Sequence, residues 1–230
     1  MMKKILGVIP ARGGSKGIKN KNIRPLNNKP LITYTINAAN KSELLSDFIV
    51  STDSHEIKSI AESYGAKVPF LRPKYLSHDT ALAIPTIQHA VENYEKDVGY
   101  EFDYVVMLQP TTPLRTSDDI DSALLELIKQ KADSTISVVD VDNNHPWKMK
   151  IVKDGYLHDY IDNEMENPPR QTLPKIYIVN GAIYATKRNV LMLENSFKGK
   201  TCIPFIMKSK RSVNIDNIED FITAEYFLNL

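Results

Sequence analysis

The sequence has almost no cysteine and no long apolar run. Cys202 is the only cysteine in 230 residues, so an intramolecular disulfide is excluded and a reducing compartment, the cytoplasm, is predicted. Without a Cys/His pattern around it, we interpret Cys202 as a small packed side chain. No apolar stretch approaches the roughly 20 residues that cross a membrane. The apolar run that follows Lys4 is also too short for a secretory signal.

A surplus of charge is missing as well, but only over the whole chain. The 29 Lys and Arg residues nearly balance 28 Asp and Glu residues, which argues against a general nucleic-acid-binding protein. Residues 1–42, however, hold nine basic residues and no acidic one, and Glu43 is the first carboxylate. Four of the nine glycines lie in the same stretch. Basic side chains beside glycine-rich backbone predict a site for a polyanion.

The length predicts a single domain, residues 1–230, with strands and helices in alternation. The predicted strands are residues 4–9, 48–51, 67–71, 104–108, 134–141 and 202–206. The predicted helices are residues 30–45, 54–64, 84–94 and 117–131, the last capped by Ser117, and an amphipathic helix that contains Phe221. This alternation favours an α/β three-layer sandwich with a mostly parallel sheet.

The alternation stops after Val141. Short strand candidates near residues 148–152 and 176–185 flank an acidic, proline-bearing loop. We interpret residues 145–185 as an antiparallel excursion, an arm that reaches a second subunit.

The first predicted strand runs directly into a basic, glycine-rich segment, residues 10–22. Ligands of open α/β sheets bind beyond the carboxyl ends of the strands, where loop amides can face phosphate oxygens. Arg12 and Lys21 flank the glycines and add positive charge. The segment fits neither the Walker A spacing nor the dinucleotide-binding fingerprint. The alternative is an ordinary strand-to-helix turn with solvated lysines.

Several polar residues also have plain structural interpretations. Asp53, Asp79 and Thr80 are candidate helix N-caps, and Arg115 is a candidate surface residue ahead of Ser117. Five histidines without ligand spacing predict no zinc site, and His145 is a candidate turn residue before a proline.

An ordered set of motifs along nearly the whole chain resembles the N-acylneuraminate cytidylyltransferases, the CMP-sialic acid synthetases. The motifs are IPARGGSKG (9–17), KNI (21–23), STDS (51–54), RP (72–73), LSHDTA (76–81), QPTTPLR (109–115), HPWKM (145–149), RQ (170–171), LP (173–174), NGAIY (180–184), NID (214–216) and EDF (219–221). The first motif alone is fairly specific, and the ordered set is strong.

The resemblance implies a reaction in which CTP and a nine-carbon 2-keto sugar acid give a CMP-sugar and pyrophosphate. It implies that Arg12 and Lys21 hold the triphosphate, with Gly13, Gly14 and Ser15 beside them. By the same resemblance, Asn22 contacts the nucleotide and Arg72 helps to select cytosine. Relatives carry a base-contacting serine where this chain has Leu82 and Ala83.

The resemblance also implies a sugar pocket, a metal site and an assembly. The pocket residues are Gln109, Lys148, Arg170 and Tyr184. Asp216 is the implied Mg²⁺ ligand, and Asn214 stands where many relatives have a second aspartate. Arg12, Lys21 and Asp216 are thus the expected catalytic residues of a homodimer.

Two rival functions stay open from the sequence. One is a cytidylyltransferase for an eight-carbon keto sugar acid, although such enzymes lack the Gly-Gly-Ser-Lys-Gly run of this first loop. The other is a non-catalytic CTP-binding module, which has no need of Lys148, Arg170 and Asp216. No side chain is identified by the sequence as a general base.

Overall fold

A computed structural model describes residues 3–14, 17–162 and 169–230. Its centre is a six-stranded sheet in the order β10-β6-β9-β5-β1-β4. These strands are β1 (Ile5–Pro10), β4 (Asp47–Ser51), β5 (Tyr104–Met107), β6 (Ser134–Asp140), β9 (Tyr177–Lys187) and β10 (Cys202–Ile206). β1 pairs in parallel with β4 and β5, and β10 pairs in parallel with β6. β9 is antiparallel to both of its neighbours.

Helices cover both faces of this sheet, which confirms the predicted three-layer architecture. They are α1 (Leu31–Lys41), α2 (His55–Ser63), α3 (Ala83–Val98), α4 (Ser117–Gln130), α5 (Arg188–Leu193) and α6 (Ile218–Leu228). Side chains of α1, α2 and α4 form a core with one face, and those of α3 and α5 with the other. Alternate residues of β1 enter opposite cores, Ile5 and Ile9 on one side, Leu6 and Val8 on the other.

Two small pairs of strands lie outside the central sheet. The short strands β2 (Pro25–Leu26) and β3 (Lys29–Pro30) pair ahead of α1. β7 (Lys150–Lys153) and β8 (Tyr156–Asp159) form a hairpin that is exposed along its whole length. No helix in the described ranges is both long and apolar enough to cross a membrane.

Three local predictions were wrong. Residues 176–185 belong to β9 in the central sheet, so the excursion proper is the β7–β8 hairpin and its flanks. The predicted strand at residues 67–71 is only two isolated bridges to the β4 side, at Lys67 and Leu71. The cap of α4 is Thr116, not Ser117, because the Thr116 hydroxyl and the Asp119 carboxylate form a reciprocal capping box.

Candidate active site

A cleft of about 550 Å³ opens at the carboxyl ends of β1 and β5. This is the edge of the sheet at which α/β proteins bind ligands. The cleft brings together seven of the residues singled out by sequence: Arg12, Lys21, Asn22, Arg72, Gln109, Asn214 and Asp216. Residues from both ends of the chain therefore line one continuous cleft.

Polar contacts brace the glycine-rich loop on the side of β4. The Gly13 amide donates to Asp53 Oδ1 at 2.9 Å, and Asn22 Nδ2 donates to the Arg12 carbonyl at 2.9 Å. Asp53 is therefore not a helix cap; Ser54 caps α2 by accepting from the Ile57 amide. These contacts fix the backbone from which the Arg12 side chain extends.

An ion pair crosses the mouth of the cleft. Arg12 Nη1 lies 2.5 Å from Asp79 Oδ1, and both side chains are about one-third exposed. Asp79 was a candidate N-cap, but α3 begins at Ala83 with Leu82 at the cap position. Thr80 is not a cap either; its hydroxyl lies 2.9 Å from His78 Nδ1. Asp79 is thus a wall residue of the cleft.

Lys21 and Asp216 form a second ion pair in the cleft. Lys21 Nζ donates to the Ile215 carbonyl at 2.8 Å and to Asp216 Oδ1 at 3.1 Å. The Lys21 side chain is mostly buried, while that of Asp216 is 71% exposed. Asp216 can therefore turn toward a ligand while Lys21 stays in place.

The segment that carries Asn214 and Asp216 is irregular, not a strand end, and leads into α6. Its anchor is Ile215, whose buried side chain and amide, donating to the Thr111 carbonyl, hold the two neighbours at the cleft. Gly17 packs against it, since a Cβ there would lie 3.1 Å from the Asp216 carbonyl oxygen. Close approach of the loop to this segment thus favours glycine.

The metal-ligand inventory of the cleft is small. The described residues contain no group of three or more His, Cys, Asp and Glu side chains placed to hold a metal ion. Asp216 provides one carboxylate, and Asn214 lies two residues away in the same cleft. Such a set fits Mg²⁺, which takes one or two carboxylates from the protein and its other oxygens from phosphates and water.

Arg72 is a buried cation in the cleft wall. Its side chain is 5% exposed, and Nη2 lies 3.9 Å from Asp53 Oδ1. Burial lowers the pKa of the Arg72 guanidinium, and the Asp53 carboxylate opposes that shift. Nε and Nη2 have no hydrogen-bond acceptor among the described residues. A buried donor without an acceptor is costly, so the geometry suits a ligand that provides one.

Gln109 lies at the other end of the cleft, against β9. A Cβ on Gly181 would sit 2.7 Å from Gln109 Oε1, and Gly181 has a φ of +78°. Both observations require glycine at this position. Arg115 lies beneath this turn and is buried, so the prediction of a surface residue was wrong. Burial lowers the pKa of Arg115 to about 9, against the effect of Asp119, which leaves it charged at neutral pH.

Two predicted sugar-pocket residues, Lys148 and Tyr184, are not among the described residues that line this cleft. Lys148 is exposed on a single turn, Pro146–Lys148, at the base of the hairpin. Tyr184 is half-buried beside Phe197 in the core under α3, where burial raises the pKa of its phenol. The side chain of Arg170 and all of Ser15 lie outside the described residues, so their roles stay predictions.

His145 is a buried residue that caps the turn before Lys148. Its Nδ1 accepts from the Trp147 amide at 3.2 Å, as a turn residue would.

The functional residues that sequence reasoning underrated are Asp79 and Arg115. Their place in the sequence could have identified them, because each lies next to a chain segment that carries a candidate ligand contact.

Comparison with known proteins found relatives that match nearly the whole chain. A family profile described as Cytidylyltransferase matches residues 6–219. The chain is 36% identical over 234 residues to CMP-N,N'-diacetyllegionaminic acid synthase of Legionella pneumophila, covering 99% of this chain and 97% of that protein. It is also 36% identical to N-acylneuraminate cytidylyltransferase of Escherichia coli, covering 97% of this chain and 52% of that protein.

A solved structure repeats the fold. CMP:2-keto-3-deoxy-manno-octonic acid synthetase in complex with CTP superposes with a TM-score of 0.73, covering 98% of each chain. At 17% sequence identity, this likeness concerns the architecture alone.

Proposed function

The chain belongs to the cytidylyltransferase family, and from this premise we propose that it joins CTP to a nine-carbon 2-keto sugar acid. The products are a CMP-sugar and pyrophosphate, so the chain is a nucleotidyltransferase. Sialic, legionaminic and pseudaminic acids make up the substrate class. The observation that carries this proposal is one cleft, at the carboxyl ends of the strands, that Arg12, Lys21 and Asp216 line together.

The chemistry asks for positioning and charge neutralisation. The anomeric hydroxyl oxygen of the acid attacks the α-phosphorus, the bond to the β-phosphate oxygen breaks, and pyrophosphate leaves opposite. Arg12 and Lys21 neutralise charge that grows on the leaving group. Gly14 lies beside Arg12 with no described atom within 4 Å of a Cβ built on it, which leaves space for phosphate oxygens.

Both cations exchange partners when CTP binds. In the structure, Arg12 pairs with Asp79 and Lys21 with Asp216. A triphosphate competes for both cations because its charge is greater and its oxygens reach both. Lys21 keeps the Ile215 carbonyl as an anchor, so only the carboxylate of Asp216 needs to be released.

Asp216 and Asn214 would hold Mg²⁺ once Lys21 has released the carboxylate. The metal, when bound, would polarise phosphate oxygens and help to acidify the attacking hydroxyl. The exposed Asp216 side chain fits an ion that arrives with the nucleotide.

Arg72 is proposed to bind the cytosine base. Its two buried donors lie in the cleft wall without an acceptor, and cytosine presents a carbonyl oxygen and a ring nitrogen. Asn22 contacts the nucleotide from the opposite side while its amide supports the loop. The unpaired Cys202 is consistent with a cytoplasmic setting for this reaction.

We further propose a homodimer joined through the β7–β8 hairpin. The hairpin exposes Val152, Tyr156 and Leu157, each at least 69% accessible, and the beginning of β9 exposes Ile178 and Val179. Apolar side chains in such number indicate a covered surface. A second copy would place Lys148 and Arg170 at its neighbour's cleft, where Gln109 already lies, and their positive charges would bind the sugar carboxylate. Tyr184 would support the pocket from below.

Of the two rival functions, one differs from the proposal in its acid substrate and the other in having no reaction. A fold likeness at 17% identity does not favour the eight-carbon acid, whereas the 36% identical relatives are named for nine-carbon acids. A non-catalytic CTP sensor has no need of Asp216 at the end of the cleft.

A panel of acids tests the proposal. Purified protein is given CTP, Mg²⁺ and one nine-carbon or eight-carbon keto acid at a time, and kcat/KM is measured from pyrophosphate release. We expect the highest value with a nine-carbon acid. A higher value with the eight-carbon acid would support the first rival, and CTP binding without turnover of any acid would support the second.

A further inference from the structure

We propose that Arg115 is a positioning residue for the sugar-acid end of the cleft. Its buried guanidinium fixes the turn that carries Gln109 against a bulge of β9. This inference rests on the proposed function, because it concerns where Gln109 meets the acceptor.

The Arg115 guanidinium joins three separate elements. Nη1 donates to the Gln109 carbonyl at 3.3 Å, to Thr112 Oγ1 at 3.0 Å and to the Ala182 carbonyl at 2.8 Å. Nη2 donates to Thr35 Oγ1 on α1 at 2.7 Å. The Thr35 hydroxyl in turn donates to the Gln109 carbonyl at 3.4 Å. Thr112 Oγ1 donates to the same carbonyl at 3.1 Å. The backbone of Gln109 is therefore held by three side chains, none of which is among the described residues that line the cleft.

The Ala182 contact matters because of what lies next to it. The pairing of β6 with β9 shifts between Ile136 and Val138, so residues 180–183 of β9 bulge out of the sheet. Ser137 Oγ holds this bulge by donating to Asn180 Oδ1 and accepting from the Ile183 amide. Gly181 lies at its tip, with the Gln109 side-chain amide directly over it.

Only an arginine can make this set of contacts. Its planar fork sends separate nitrogen atoms toward Thr35 and toward the Gln109–Ala182 pair, whereas lysine offers donors from one nitrogen. Burying the charge of Arg115 is costly. The Asp119 carboxylate provides an opposite charge that partly offsets the lowering of the Arg115 pKa by burial. Asp119 also pairs with Arg211 at 2.8 Å, next to the segment that leads to Asn214. The guanidinium links the backbone of Gln109 to that of Ala182, and a stability role alone does not explain this link.

The test uses four variants. Arg115→Lys keeps the charge and removes the fork. Thr35→Val keeps the shape and removes the hydroxyl that links Arg115 to the Gln109 carbonyl, while Thr35→Ser retains that hydroxyl. Thr186→Val is the matched control, because Thr186 is a fully buried threonine at the far end of β9 that also donates to a carbonyl, that of Asp133.

Kinetics with CTP and the best nine-carbon acid give the first readout, below the lowest melting temperature of the set. We expect Arg115→Lys to lower kcat/KM for the acid about 10²-fold, as small misplacements of a contact group do. Thr35→Val should lower it about fivefold, the worth of one hydrogen bond. KM for CTP should stay within about threefold of wild type. Thr35→Ser and Thr186→Val should retain wild-type kinetics.

The second readout needs no substrate: the nitrogen-15 NMR signals of the Gln109 side-chain amide and the Gly181 backbone amide in the free protein. Both should move in Arg115→Lys and Thr35→Val and stay in Thr186→Val. Equal effects of Thr35→Val and Thr186→Val, a parallel rise in KM for CTP, or unmoved Gln109 signals would overturn the positioning role. Absence of turnover in the wild type with every acid would instead overturn the proposed function, and the NMR result would still decide the role of Arg115.

Discussion

At the scale of single residues, the cleft is a set of charges that are already partnered before a nucleotide binds. Arg12 is held by Asp79, and Lys21 by Asp216 and a backbone carbonyl. Paired charges cost less to keep in a cleft than free ones. The pairs also hold both cations within reach of a triphosphate, so binding exchanges partners without building the site anew.

Arg12→Ala should leave the fold intact and remove a donor to transition-state charge. Loss of one such donor lowers kcat/KM by about 10²–10³. Arg24→Ala is the control, because Arg24 is an exposed arginine that follows the glycine-rich segment and is not among the described residues lining the cleft. Steady-state kinetics of both variants check this prediction. A decrease in kcat/KM of less than about tenfold for Arg12→Ala, near 1.4 kcal/mol, would contradict the assigned role.

Asp216→Asn should abolish turnover while sparing CTP binding, because Arg12 and Lys21 stay in place. With a single carboxylate at the site, the nucleotide-free protein should bind Mg²⁺ weakly, and CTP should bring the ion with it. Asn214→Asp, which adds a carboxylate, should tighten Mg²⁺ binding. Calorimetric titrations of Mg²⁺ with and without CTP provide the measurement. Full activity of Asp216→Asn, or of wild type in excess chelator, would show that Asp216 is not the metal ligand.

Some residues were predictable from sequence and others were not. Arg12, Lys21 and Gln109 belong to motifs that end strands, and a parallel sheet brings such ends to one edge. Arg115, predicted to be a surface residue ahead of a helix, is buried, and Asp79, predicted to be a helix N-cap, pairs with Arg12 instead. Their roles depend on partners far away in sequence, such as Thr35 and Arg12.

At the scale of elements, apolar periodicity predicted five of the six described helices, all but the short α5, and most strands. It did not show that β9 lies inside the central sheet, because an apolar pattern predicts a strand but not the strands with which it pairs. It also predicted a strand at residues 67–71, where the chain makes only isolated bridges.

One carboxylate joins three strand ends at the edge away from the cleft. Asp133, just ahead of β6, accepts from Lys187 Nζ at the end of β9 and from the Lys200 and Thr201 amides ahead of β10. The hydrogen bond from Lys187, followed by those from Thr201, holds the pKa of Asp133 well below its usual range.

A lowered carboxyl pKa makes its contribution to stability dependent on pH. The folded state favours the ionised form, so the contribution is complete above the ordinary carboxyl pKa and is lost as pH falls toward the folded value. Asp133→Asn should therefore melt below wild type at pH 7, and the difference between the two melting temperatures should begin to shrink as the pH falls below about 4. Melting curves from pH 3 to 7 check this. A difference in melting temperature that is independent of pH would contradict it.

At the scale of the whole molecule, the exposed hairpin and the composition of the cleft are the grounds for the proposed homodimer. Lys148 lies outside its own cleft, so under that proposal its positive charge would reach the sugar pocket of a second chain. The sequence predicted such an arm from the break in alternation after Val141, but not which strand remains in the sheet.

Leu157→Lys in the hairpin should convert a dimer into monomers, because it places a charge in an apolar contact. Leu193→Lys is the control, since Leu193 is exposed to a similar extent on α5. Light scattering gives the mass of each variant, and activity is measured beside it. A monomeric wild type with full activity would contradict the assembly.

The most direct test of the account follows CTP itself. Wild-type protein is incubated with CTP and Mg²⁺, with and without a nine-carbon 2-keto sugar acid, and the products are identified by mass spectrometry. The account predicts a CMP-sugar and one equivalent of pyrophosphate only when the acid is present, and neither product from Asp216→Asn. Pyrophosphate released at the same rate without the acid, or CTP bound and left intact with every such acid, would contradict it.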